Sequence, residues 1–181
     1  MSPRSCGPCY ACCVHLGIEE LQKWPDQSCK YLSGTNGPDK RCSIYASRPV
    51  ACRHYQCLWL QGAFDPDLQP NKSGIIVSPY TTGADDIPSN VTCCTIHVCD
   101  SQKAGRLEDP ESLLNRTISQ LPPELINDIR IRWTKSTKVI RLFEGFVWMG
   151  KLLKGEGYED LKFEIHEPPV GSFLIRTLCS K

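Results

Sequence analysis

The sequence predicts an α+β fold, with a small cysteine-rich amino-terminal module packed on a β-rich portion that carries one or two helices. Three observations lead there. Twelve of the 181 residues are Cys, well above ordinary usage, and eight of them (Cys6, Cys9, Cys12, Cys13, Cys29, Cys42, Cys52 and Cys57) precede Leu58. That same stretch has few apolar runs and cannot bury a conventional core by itself, the situation in which small domains lean on a metal. Farther on, short β-branched segments alternate with Gly and Pro punctuation and one well-capped helical pattern. Residues 1–60 are therefore expected to form a metal-stapled cysteine-cluster module, and residues 61–181 an α+β carboxy-terminal portion.

Within the module, Gly7 and Pro8 call for a tight turn, and Pro8 suits the first position of a helix. A helix starting there would place Cys9, Cys12 and Cys13 on one face. Ile18 to Trp24 reads as a short amphipathic helix stopped by Pro25. Ser33 to Lys40 is a loop leading to Cys42, and Asp65 to Ser73 a connecting loop. GIIVSPY and NVTCCTIHV read as strands, the second with Val91, Cys93, Thr95 and His97 on one face. Asp109 is the expected N-cap of a helix running to about Leu121, followed by a second helix from Pro123 to about Trp133. EGFVWM, LKFEIHE and SFLIRTL complete the set as short strands.

The charge balance excludes some functions. Twenty-one Lys and Arg against 20 Asp and Glu leave a net charge of +1, so no strong field draws the chain to nucleic acid or anionic lipid. No stretch approaches the roughly 20 apolar residues of a membrane span. The first residues lack the apolar segment of a secretory signal, so the expected location is cytoplasmic. In that reducing setting, dense cysteine argues for metal or redox chemistry over a disulfide framework.

The pattern Cys-x2-Cys-x2-Cys-Cys, then Cys29, then RCSIYASRPVACRHYQC carries the chemistry. Two thiols across a tight turn can reach one ion, with the remaining tetrahedral positions filled from elsewhere in the chain. Eight thiols suffice for two four-thiolate sites, for one site with spare ligands, or for an iron–sulfur cluster. Adjacent side chains diverge, so Cys12 and Cys13 suggest either two metals or one ligand beside a packed thiol. Two zinc ions in eight thiolates would carry −4, which Lys40, Arg41, Arg48 and Arg53 stand close enough in sequence to offset.

These residues resemble the YkgJ type of zinc- or iron-chelating cysteine-cluster proteins. The shared elements are CGPCYACC, Cys29 with Tyr31 and Leu32, Arg41 to Tyr45, Arg48-Pro49, and Cys52-Arg53 through Cys57. The resemblance covers about a third of the chain. It implies zinc or iron, as single ions or as an iron–sulfur cluster, held by the eight cysteines, and the expected role is a binding or accessory module with a protein partner. Flagellin lysine-N-methylases contain a similar cluster, and the enzyme alternative is methyl or electron transfer on a protein or peptide. No glycine-rich strand-to-helix turn accompanies it here, since Gly145, Gly150, Gly155 and Gly157 do not open a helix.

Other residues carry secondary expectations. His54, between Cys52 and Cys57, is read as a neighbour of the site, and His15 less firmly so. Cys93, Cys94 and Cys99 with His97 are a candidate second metal or redox site, against the alternative that they pack as small apolar side chains. Arg48-Pro49 is read as structural, and Tyr45, Tyr55 and Trp59 as cover for the metal. Cys179 has no partner pattern.

Overall fold

The computed structural model describes residues 4–6, 9–34, 39–81, 92–107, 109–122, 128–134, 139–143 and 163–166. Its frame is a five-stranded sheet of β3 (Ile75–Thr81), β4 (Thr92–Val98), β5 (Asp128–Trp133), β6 (Val139–Phe143) and β7 (Phe163–His166), in that spatial order. All neighbours are antiparallel except β4 and β5, which run parallel. A parallel pair needs a crossover. Here the crossover contains α4 (Ser101–Ala104) and α5 (Leu113–Ser119). Pro79 is accommodated because β3 lies at the end of the sheet, where a missing N–H need not interrupt pairing.

Strand alternation divides the sheet into two unlike faces. Ile75, Val77, Cys94, Ile96, Val98, Ile129 and Ile131 point to one side and are all buried. Leu58, Trp59, Phe64, Leu68, Ala104, Leu107, Leu114, Ile118 and Leu121 close over them to form the main core. Ile76, Ser78, Thr95, His97, Arg130 and Arg132 occupy the opposite face, with Ile76 in register with His97 and His97 with Arg132. The amino-terminal segment packs on this second face, where Ala11, Leu16 and Ile76 form a small cluster.

That segment is built from short pieces: α1 (Ala11–His15), a 3-10 turn at Glu19–Leu21, a two-residue hairpin of β1 (Leu32–Ser33) and β2 (Arg41–Cys42), a 3-10 turn at Tyr45–Ser47, and α2 (Val50–His54). Among the described residues before Leu58, only Ala11 and Leu16 are buried apolar side chains. Arg4 pins the start of the chain to the main core, donating to the Trp59 carbonyl at 2.7 Å while lying over its ring.

Several expectations need correction. Ile18–Trp24 is not a helix but a tight reversal, with Gln22 left-handed at φ 51° and Ile18 bridging to Lys23. The Asp65–Ser73 loop contains a 3-10 turn at Pro66–Leu68 and α3 (Pro70–Ser73), each begun by a proline. α5 starts after Ser112, whose hydroxyl accepts from Asn115 N at 3.0 Å, because Asp109 spends its carboxylate on the Glu111 N–H instead. Residues 128–133 form a strand where a helix was expected, since Ile129, Ile131 and Trp133 alternate with Arg130 and Arg132. The predicted strands at EGFVWM and SFLIRTL, the Gly7–Pro8 turn, and Cys93's side chain and Cys179 lie outside the described residues.

Candidate metal centre

α1 is shorter than its sequence suggests and carries two thiols, Cys12 and Cys13, rather than three. Cys9 precedes it, folded back so that its N–H donates to the Cys6 carbonyl at 2.6 Å. Cys29 is brought to α1 by its own N–H, which donates to the Cys13 carbonyl at 2.9 Å. Cys42 follows across the small hairpin, in register with Leu32, whose N–H returns to the Cys29 carbonyl at 3.0 Å. Cys52 lies on α2, and Cys57 follows that helix where the chain enters the main core. All eight thiols are partly buried and none is in a disulfide.

The thiols act on one another electrostatically in two neighbourhoods. Burial raises Cys57 to about 11, with further upward pressure from Cys9 and Cys6. Burial likewise raises Cys52 to about 11, and here the neighbours are Cys13, Cys29 and Cys42. Cys42 is raised by burial and responds to Cys13 and Cys29. Cys12 and Cys13, expected to diverge, instead share a thiol–thiol hydrogen bond, which holds Cys13 down to about 7, aided by the charges of Lys23 and Arg48, and drives Cys12 upward.

Two cations stand on the Cys13 side. Lys23 is 4% exposed, and its ammonium donates to the Leu16 carbonyl, to the Val14 carbonyl at 3.3 Å and to the Trp24 carbonyl at 3.5 Å. It thus satisfies carbonyls that the end of α1 leaves open. Burial lowers its pKa, while Cys29, Cys13 and Cys12 pull the other way. Arg48 stacks on Tyr45 with 3.7 Å to the ring centre and donates Nε to the Tyr45 carbonyl at 3.0 Å. Lys40 instead lies over Tyr10, and Arg41 and Arg53 are exposed.

In number and kind these thiols suit zinc or iron, and their separation from any disulfide leaves every sulfur available. Among the described residues, however, no three His, Cys, Asp or Glu side chains stand in an arrangement that would hold a metal ion. The thiols are neighbours, not a closed coordination shell.

The remaining candidates sort differently. His54 is exposed at the end of α2. His15 Nδ1 lies 3.1 Å from Asp26 Oδ1, and the other oxygen of Asp26 lies 3.7 Å from the Arg132 guanidinium. That trio ties α1 to β5, and Asp26, left-handed at φ 61°, went unremarked in the sequence. Cys94 is fully buried in the main core, whereas His97 belongs to the opposite sheet face, so the pair cannot share an ion. His97 is pushed down to about 3, first by burial and then by Arg132. Cys99 is raised to about 12, chiefly by burial. Trp59 belongs to the main core, with Nε1 donating to the Asp65 carbonyl at 3.2 Å. Tyr55 packs on the Ala11, Leu16 and Ile76 cluster, as Cys9, Cys12, Cys57 and Cys99 also do. Among the described residues no helix is long and apolar enough to cross a membrane.

No family model, curated protein or solved structure matches the chain.

Proposed function

We propose that this is a zinc- or iron-binding protein whose amino-terminal thiolates hold the metal, serving as a binding or accessory module. The observation that carries this reading is the mismatch between order and core. Six separate pieces of chain are folded together before Leu58 with only Ala11 and Leu16 as buried apolar side chains among the described residues, while eight uncrosslinked thiols lie within the same segment. Apolar burial contributes roughly 1.5–3 kcal/mol per large side chain, so two small contributions do not offset the entropy of ordering some fifty residues. Metal–thiolate bonds formed only in the folded state supply that difference, because their binding free energy is folding free energy.

Bound metal would be held by Cys6, Cys9, Cys12, Cys13, Cys29, Cys42, Cys52 and Cys57, and would cross-link the short elements; an iron–sulfur cluster would add electron transfer. Lys23 and Arg48 offset negative charge gathered on sulfur. Protein isolated anaerobically and subjected to elemental analysis and absorbance spectroscopy tests the reading. Zinc gives a colourless sample and an iron–sulfur cluster a broad band near ~400 nm. Chelation should expose sites before Leu58 to protease while the β3–β5 sheet stays protected. Protein free of metal, with the same proteolysis pattern before and after chelator, would overturn it.

A further inference from the structure

We propose that Lys30, Lys40, Arg41, Arg48 and Arg53 form a docking surface for an acidic peptide segment of a partner protein. This rests on the reading of the amino-terminal segment as a binding module, names the class of partner, and makes no use of metal.

Elsewhere among the described residues, cations meet carboxylates. Arg116 lies 2.6 Å from Asp65 and 2.7 Å from Asp67, Lys103 lies 3.5 Å from Asp100, and Arg132 lies 3.7 Å from Asp26. None of the five cations from Lys30 to Arg53 stands within ion-pair distance of a described carboxylate. Asp39 is the one acidic residue in that interval, so five cations and one carboxylate leave +4 there against +1 for the whole chain. The neighbouring Glu20 is already engaged, accepting from the Ala51 N–H at 3.3 Å.

Three of these cations are held in place by aromatic rings. Lys30 lies over Tyr31 at 5.2 Å from the ring centre, Lys40 over Tyr10 at 4.7 Å and Arg48 over Tyr45 at 3.7 Å. Arg48 is fixed further by its Nε donating to the Tyr45 carbonyl, which leaves its two terminal nitrogens as a fork for a carboxylate. The Ser43 N–H donates to the Tyr31 carbonyl at 2.8 Å and its hydroxyl does so at 3.0 Å, tying the β1–β2 hairpin to the residues that lead into the Tyr45–Ser47 turn. None of the described residues from Cys29 to Cys57 is buried, and Tyr45 and Val50, 48% and 40% exposed, add apolar area among the charges. The occupant follows from this mixture. Single-stranded nucleic acid binds by stacking its bases on open aromatic faces, whereas here the chain's own cations already cover a face of each of these tyrosines. A net charge of +1 also gives no long-range field for a polyanion. An acidic segment needs only a few carboxylates opposite the cations and an apolar side chain against Tyr45 and Val50.

The test uses full-length protein isolated anaerobically, with fluorescence anisotropy of three labelled probes: a synthetic peptide rich in Glu around a central pair of Leu, a copy with Gln in place of every Glu, and single-stranded oligothymidylate. The Glu peptide should bind, the Gln copy and the oligothymidylate should each bind at least about tenfold more weakly, and added salt should weaken the Glu peptide. These comparisons need no substitution. Lys30→Gln/Arg41→Gln and Arg53→Gln, all at exposed positions, should each weaken the Glu peptide severalfold. Arg106→Gln, in the crossover between β4 and β5, should leave it unchanged. Equal binding of the Glu and Gln peptides, tighter binding of oligothymidylate, or wild-type affinity in both charge variants would overturn the surface while leaving the metal reading intact. Protein isolated free of metal that still binds the Glu peptide would uphold the surface and count against the metal reading alone.

Discussion

The Tyr55 hydroxyl lies 2.7 Å from Ser78 Oγ, a side-chain bond between the thiol-rich segment and β3. Tyr55 also packs on the Ala11, Leu16 and Ile76 cluster, so its ring and its hydroxyl both join the module to the sheet. Tyr55→Phe keeps the ring and should cost about 1 kcal/mol, seen as earlier proteolysis before Leu58. Ser78→Ala should have a comparable effect, and the double variant should be less than additive. Fully additive losses would mean the bond carries no coupling.

Lys23 closes the end of α1 from below. Lys23→Met preserves most of the apolar stem but leaves the Val14 and Leu16 carbonyls without their donor. A loss of about 1–3 kcal/mol is expected for buried groups left unsatisfied. Amide hydrogen exchange should show it as faster exchange of α1, with β4 and β5 unchanged. Uniform acceleration across both regions would contradict a local role.

His97 makes the joint sensitive to acid. Its folded pKa is about 3 against about 6.5 in an unfolded chain, so the unfolded state binds the additional proton between these values. Stability is complete above about pH 6.5 and falls as the pH drops toward 3. Arg132 and His15 add to this by opposing a charge on His97, whereas Asp26 favours it. His97→Gln should flatten the denaturation midpoint across that window; an unaltered pH profile would count against it.

The main core should respond independently of metal. Ile131 is fully buried and in register with Ile96 and Ile140. Ile131→Ala should cost about 2–5 kcal/mol through lost burial and the cavity left behind, measured by urea denaturation. Zinc content should be unchanged where the variant remains folded, and a proportional loss of zinc would show that the module has no stability of its own.

Much of the sheet was readable because β3 and β4 concentrate β-branched residues between turn signals. β5 was not, although its Ile-Arg alternation has a strand's period. Two prolines and a run of good helix formers before it favoured the wrong reading, and local propensity yields to a strand's position between paired neighbours. Likewise Asp109 has the chemistry of an N-cap, but its carboxylate closes a turn one step earlier. Cysteine spacing pointed to the candidate ligands. It did not show Cys29 drawn to Cys13, nor Lys23 buried under α1, because both depend on the reversal at Gln22 and on the hairpin that follows. A lysine within an apparently amphipathic segment was the one local hint.

The platform under the amino-terminal segment has a consequence for biogenesis. Ile76, His97 and Arg132 come from β3, β4 and β5, and β5 joins β4 only after the long parallel crossover is complete. Such non-local pairing is slow to form. The thiol-rich segment is made before β5 yet is therefore among the last parts to find its seat, because its platform is complete only when β5 has joined β4.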